Sequence, residues 1–271
     1  MSAGRVAFGA AALCTVGLLA APLAWIAVAS LGPDALAFTG GAGLADLSFD
    51  HYRALLAERG FLLAIRNSLV VAGLTTALAL PLAAACAYAL ARLPFRGRGA
   101  LLALLLAVSM FPQISVVAPL FLALRELGLI NTYTGLVLPY VSFTTPLAVW
   151  LLTGFFRQLP REIEEAALVD GASRLRTLRD VVLPLAAPGL ASTAILTFLY
   201  AWNEFLFALS FTFDAGRQTV PVAVALLRGR YQVPWGQVLA AAVLASLPVA
   251  CVVAAFQRRI VAGLTAGAVK G

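Results

Sequence analysis

The chain has 271 residues, 62% hydrophobic and only 11% charged, with a mean hydropathy of +0.96, whereas soluble domains carry about 25% charged residues. A chain of this size cannot hide so much apolar surface in an aqueous core, which excludes a soluble enzyme, a nucleic-acid binder and a disordered tail. Its net charge of +7 therefore reads against a membrane, and it comes from arginine, since Lys270 is the only lysine.

Six apolar stretches follow in chain order, near 6–31, 68–91, 100–124, 132–156, 186–212 and 236–257. Each reaches the roughly 20 residues needed to cross the hydrocarbon layer, and none shows the alternation of a barrel strand. Backbone groups must be satisfied inside lipid, so the stretches read as helices. The expected fold is all-α and integral to the membrane, with six transmembrane helices and membrane lipid as solvent. The first stretch follows Arg5 and ends near Ala27-Val28-Ala29, a pattern shared with signal-peptide cleavage sites. It is longer than the roughly 7–15 residues of a signal h-region and is read as a retained helix.

The expected organisation is an N-terminal helix and outer loop at 1–65, with a surface helix near 50–58, then a membrane domain at 66–258 and a tail at 259–271. Six spans put both termini on one side. Placing them inside gathers Arg5, Arg92, Arg96, Arg98, Arg157, Arg161, Arg174, Arg176, Arg179, Arg258, Arg259 and Lys270 in the cytoplasm, the majority of the 19 basic residues. Both termini are thus expected to be cytoplasmic. Pro22, Pro81, Pro112, Pro119, Pro139, Pro146 and Pro248 fall inside the spans, where each removes a helical hydrogen bond; together they favour a bundle that moves. Cys14, Cys86 and Cys251 lie in apolar runs without metal or disulfide spacing and are expected to be small buried hydrophobes.

Between the fourth and fifth stretches lies a charged segment, residues 160–184. Pro160 suits a first helical turn, Glu162 and Glu164 meet the positive end of the helix dipole, and Gly171 stands where a left-handed residue would end the helix. Ser173 is placed to cap a second helix, with Leu175, Leu178 and Val182 as its apolar face. Small Ala166 and Ala167 and a sharp turn at Gly171 suit a stiff hairpin that passes force to a partner.

This segment carries the pattern E-A-A-x3-G-x9-I-x-L-P in Glu165, Ala166, Ala167, Gly171, Leu183 and Pro184, with Val181 in place of Ile. It resembles the permease subunits of binding-protein-dependent ABC importers. The resemblance implies a coupling helix that docks into a groove on an ATPase subunit, with Glu165, Ala166, Ala167, Asp170, Gly171, Leu183 and Pro184 as the docking positions. Asn67-Ser68-Leu69, residues 87–92, 128–133 and 201–205, and the tail 263–271 extend the likeness over nearly the whole chain, toward the smaller permease of maltose- and trehalose-type importers. Implied partners are a second, different permease, two ABC ATPase subunits, an extracytoplasmic sugar-binding protein and a sugar.

A Walker A loop needs a lysine on the phosphates, and Lys270 is followed here only by Gly271. No cofactor is expected in this chain; ATP and Mg belong to the partner ATPase. His51, the only histidine, lies in an outer loop and is not expected to be catalytic. Glu204 is the only acid deep in a span, next to Trp202 and Asn203. Three readings are open for it: lining the translocation pathway, a structural tie to a neighbouring helix or subunit, and a proton relay. The loop near 213–235, with Arg217, Arg228, Arg230, Tyr231 and Trp235, reads either as the segment reaching toward the binding protein, by resemblance, or as an interfacial anchor. Alternatives for the whole chain are a permease for a non-sugar solute and an integral membrane enzyme, the latter needing clustered intramembrane His, Asp or Glu.

Overall fold

The computed structural model describes residues 3–33, 47–57, 59–227 and 233–268, with side chains for 8–33, 47–57, 60–227 and 233–256. In chain order the helices are α1 (Ala3–Ala29), α2 (Asp50–Ala57), α3 (Arg59–Arg92), α4 (Arg98–Ser109), α5 (Gln113–Glu126) and α6 (Tyr133–Gln158). They continue as α7 (Arg161–Val169), α8 (Arg174–Leu185), α9 (Ala187–Asn203), α10 (Leu206–Phe211), α11 (Val220–Leu226) and α12 (Trp235–Ala268). No strand occurs among the described residues.

Four straight stretches are long and apolar enough to cross a membrane: Phe8–Ala29, Gly60–Arg92, Tyr133–Gln158 and Trp235–Phe256. The other two expected spans are bent pairs. α4 and α5 meet at 85°, α8 and α9 at 84°, and six spans result when each pair counts as one. The stretch 100–124 is therefore not one helix, because Pro112 lacks the N–H that would continue α4 and instead caps α5 with extended backbone. Pro22, Pro81, Pro119, Pro139, Pro146 and Pro248 lie inside their helices. The stretch 186–212 also divides, since α9 stops at Asn203 and α10 follows.

The chain clusters into two units, Met1–Leu62 with Ala223–Pro248 and Leu63–Val222 with Val249–Gly271. In the first, α1 is apolar on all sides, and none of its spanning window is buried within the chain, as suits a helix facing hydrocarbon or another subunit. The expected surface helix is α2. Its Tyr52 hydroxyl lies 2.6 Å from Ser30 Oγ, and His51 Nε2 lies 3.0 Å from the Gly32 carbonyl. The lone histidine thus makes a backbone contact at the foot of α1.

In the second unit, α6 is the most buried of the four straight spans, with 56% of its window inside the chain. Ala83, Ala84, Ala87 and Ala91 of α3 form a buried cluster with Val149, Leu152 and Phe156 of α6 and Leu178 and Val182 of α8. The alanines allow helix backbones to approach closely, which is what packing in lipid rewards. The expectation of buried cysteines fails: Cys14 and Cys251 are exposed and Cys86 is half-buried. An apolar side chain in a membrane need not be covered by its own chain, because lipid tails are as apolar as leucine.

Candidate functional site

The hairpin begins where α6 ends. Leu159 and Pro160 turn extended, so Pro160 occupies the N-cap of α7, one residue before the helical turn expected for it. α7 is nine residues long, with Asp170 as its C-cap. Gly171 follows with φ +85. Its N–H donates to the Leu168 carbonyl at 3.1 Å, and that of Ala172 donates to the Ala167 carbonyl at 3.0 Å. This pair of bonds is the Schellman stop, which needs a left-handed residue at Gly171. No atom lies within 4 Å of where a Gly171 β-carbon would stand, so the glycine is demanded by backbone conformation and leaves the turn open to an approaching surface.

Ser173 caps α8, its Oγ accepting from the Arg176 N–H at 3.3 Å. Leu178–Val182 forms a π-helical turn in which the Leu183 N–H donates to the Leu178 carbonyl. The wider turn precedes Pro184, whose ring would press on the carbonyl of Asp180 in a regular α-helix. The expected apolar face is corrected at one position. Leu178 and Val182 are buried, but Leu175 is 75% exposed and Thr177 takes its place inside, with its hydroxyl donating to the Ser173 carbonyl at 3.1 Å.

Glu165, Ala166, Asp170, Gly171 and Pro184 are exposed, while Ala167 and Leu183 are half-buried. Around them Ile163, Val169 and Leu175 also turn outward. Glu164, expected only to meet the helix dipole, has a burial and a partner that sequence reasoning missed. It is the buried residue of α7, and its Oε1 lies 2.6 Å from Nε of Arg92, the last residue of α3. The same guanidinium donates to the Leu159 carbonyl at 2.9 Å. The available signal was Arg92 closing one span and a carboxylate in the charged segment 160–184, without the helix phase needed to choose Glu164 over Glu165.

The second set, Trp202, Asn203 and Glu204, sits at the α9–α10 break. Glu204 is buried. Its Oε1 accepts from the Phe207 N–H at 2.8 Å, and its Oε2 accepts from the Ala208 N–H at 3.1 Å and the Tyr140 hydroxyl at 2.5 Å. The carboxylate thus satisfies the first free N–H groups of α10 and ties the break to α6. Trp202 is buried and stacks on Phe198 with ring centroids 5.8 Å apart. Asn203 is exposed, its Nδ2 donating to the Leu199 carbonyl at 2.8 Å. It opens with Tyr200, Glu204 and Gln113 onto a depression of about 530 Å³, across which the Gln113 amide donates to the Tyr200 hydroxyl.

At the other end of α6, two asparagines hold the segment that follows α10. Asn131, at φ 60, accepts on Oδ1 from the N–H groups of Phe213 and Asp214 at 2.6 and 3.1 Å. Asn67 is fully buried; its Nδ2 donates to the carbonyls of Gly216 and Gln218 at 3.0 and 2.9 Å, and its Oδ1 accepts from the Tyr133 hydroxyl at 2.7 Å. Ser68 Oγ accepts from the Val220 N–H at 2.8 Å, and the Arg217 guanidinium lies 4.6 Å over the Tyr133 ring. Arg228, Arg230 and Tyr231 of this loop fall outside the described residues, as do residues 269–271 of the tail.

Residues 79–265 match the family model described as the binding-protein-dependent transport system inner membrane component. The chain is 48% identical over 208 residues to the trehalose/maltose transport system permease protein MalG of Thermococcus litoralis, covering 76% of this chain and 75% of that one. It is 44% identical over 258 residues to the trehalose transport system permease protein SugB of Mycobacterium tuberculosis, covering 94% of both. The sulfoquinovosyl glycerol transport system permease protein SmoH of Agrobacterium fabrum is 42% identical over 82% of this chain and 78% of its own. In fold, the chain superposes with a TM-score of 0.75 on a chain of a bacterial ABC transporter involved in alginate import, at 24% identity, covering 96% of this chain and 99% of that one. With its apolar spans and the hairpin that carries the E-A-A pattern, the chain belongs to the family of binding-protein-dependent transport system inner membrane components.

Proposed function

We propose that this chain is a permease subunit of an ATP-driven importer for a trehalose- or maltose-like disaccharide, and that it is not itself an enzyme. The observation that carries the reading is the hairpin: a short stiff helix, closed by a left-handed glycine, with Ile163, Val169 and Leu175 turned outward beside Glu165 and Asp170. Apolar groups at a cytoplasmic turn are disfavoured in water and suit a groove on a partner. The choice of sugar is supported by the names of its relatives.

In this reading the chain pairs with a second, different permease, and each supplies half of the translocation pathway. Two ABC ATPase subunits hold ATP and Mg on the cytoplasmic side, and an external binding protein delivers the sugar. Closure of the ATPase pair draws the hairpins together and opens the pathway outward; hydrolysis resets it. The membrane domain is 66–258, the tail 259–271, and both termini are cytoplasmic, as the distribution of basic residues favours. Asn203, Tyr200 and Gln113 line the pathway with hydrogen-bonding groups. Glu204, occupied by Tyr140 and two backbone N–H groups, and Trp202, stacked in the bundle, hold the helix break behind them.

The test is co-expression with the partner permease, ATPase and binding protein. The purified complex is expected to contain the ATPase and to hydrolyse ATP faster with trehalose-loaded binding protein. Gly171→Asp and Glu165→Lys are expected to abolish trehalose uptake while the chain still inserts, because each buries an unpaired charge in the docking groove. Absence of a co-purifying ATPase, or normal uptake by both variants, overturns the reading. A reporter at Gly271 is expected to be active on the cytoplasmic side.

A further inference from the structure

We propose that the Arg92–Glu164 ion pair is the joint that passes movement of the hairpin into α3, so that a complex without it hydrolyses ATP but moves little sugar. The inference rests on the permease reading above and adds to it a pair of positioning residues.

On α7 the buried residue is charged. Glu164 has a side-chain exposure of 9% and Arg92 of 5%, so apolar burial does little to fix α7 against the bundle. The attachment is instead an ion pair at 2.6 Å, reinforced by the Arg92 bond to the Leu159 carbonyl. One guanidinium thus grips both the chain entering α7 and the first turn of α7. Arg92 in turn ends a helix whose preceding residues, Ala83, Ala84, Ala87, Tyr88, Leu90 and Ala91, sit in the buried cluster. Any displacement of Glu164 therefore acts on the end of a well-packed span.

The hairpin joins the membrane domain covalently at both ends, to α6 through Leu159 and Pro160 and to α9 through α8, and Leu178 and Val182 of α8 pack against α3 and α6. The Arg92–Glu164 pair ties the body of α7 itself to the end of α3, and without it that tie is lost while the covalent ends and the α8 packing remain. Buried ion pairs add little net stability over apolar residues of the same size, and their best-attested use is to fix register. A pair at the root of a docking helix is placed for that use.

The experiment uses the complex of this chain with its partner permease and ATPase in vesicles, with binding protein and radiolabelled trehalose. Three quantities are read: yield of assembled complex, ATP hydrolysis, and trehalose moved per ATP. Arg92→Met combined with Glu164→Met removes both charges and keeps the volume. It is expected to assemble and to hydrolyse ATP like wild type, while trehalose moved per ATP falls about tenfold. Glu164→Gln, which keeps an acceptor for Arg92, is expected to lie between the two. A wild-type ratio in the double variant overturns the proposal. If the double variant does not assemble, the ratio in Glu164→Gln decides in the same way. Failure of both to assemble overturns it too, by making the pair a stability element. Failure of the permease reading is distinguishable, because then the wild-type complex itself moves no trehalose, and that result overturns both.

Discussion

The two ends of α3 each pin a segment that lies outside the spans, and they do so with different chemistry. Near its start, Asn67 holds 216–218 and Tyr133 with three neutral hydrogen bonds, and Ser68 adds a fourth contact to Val220. At its last residue, Arg92 holds the hairpin with one ion pair and one bond to a carbonyl. The stretch from Asn67 to Arg92 spans about 38 Å at the α-helical rise, so a single rod carries both attachments. A neutral network spreads its contribution over several bonds and weakens by degrees when one is lost. An ion pair concentrates it in one contact, and removing one partner strands a charge.

That difference can be broken deliberately. Arg92→Ala leaves the Glu164 carboxylate buried and unpaired, which is expected to destabilise by about 3–5 kcal/mol and to appear as loss of assembled complex in membranes. Asn67→Leu orphans two carbonyls and a hydroxyl, for an expected loss of about 2–3 kcal/mol; the complex should assemble, melt earlier, and respond less to the binding protein. Glu204→Ala removes the acceptor for two N–H groups and the Tyr140 hydroxyl, at about 1–3 kcal/mol, and should lower complex yield. Glu204→Gln should keep most of that yield. A changed rate or sugar preference in the glutamine variant, with normal assembly, would place Glu204 in the pathway instead. The smallest effect is expected at Arg176→Ala. Its ion pair with Asp180 is 3.5 Å long and largely exposed, so its removal should cost no more than about 0–1 kcal/mol and leave melting unchanged.

The spans were legible because crossing hydrocarbon requires a run of apolar residues, and composition records such runs directly. Bends were less so. Seven prolines look alike in the sequence, yet only Pro112 separates two helices, while the other six stay within one. Which proline breaks a helix depends on whether neighbours can satisfy the freed carbonyl, and that is a tertiary property. The Gly171 turn and the Ser173 cap were readable because each rests on a local conformation. Leu175 was misread because Thr177 hides its hydroxyl against its own helix and so takes an inward position as an apolar residue would. The choice between Glu164 and Glu165 was out of reach, since adjacent carboxylates differ only in which way they face.

Ala186 joins α8 to α9 in a single residue, is buried, and turns the chain by 84°. Just past it, the ring of Phe155 lies 2.5 to 2.8 Å from where a Gly189 β-carbon would stand, so the corner is packed against α6 and resists straightening. Such an elbow is a bell crank. Its short arm, α8, is about 18 Å long and its long arm, α9, about 26 Å at the helical rise. A sideways push of 1 Å on the hairpin end becomes a swing of about 1.4 Å at Asn203, by the ratio of those lengths. On the permease reading proposed above, a small stroke delivered to the hairpin would be geared up at this corner, nearly at right angles, toward the depression where Asn203, Tyr200 and Gln113 meet.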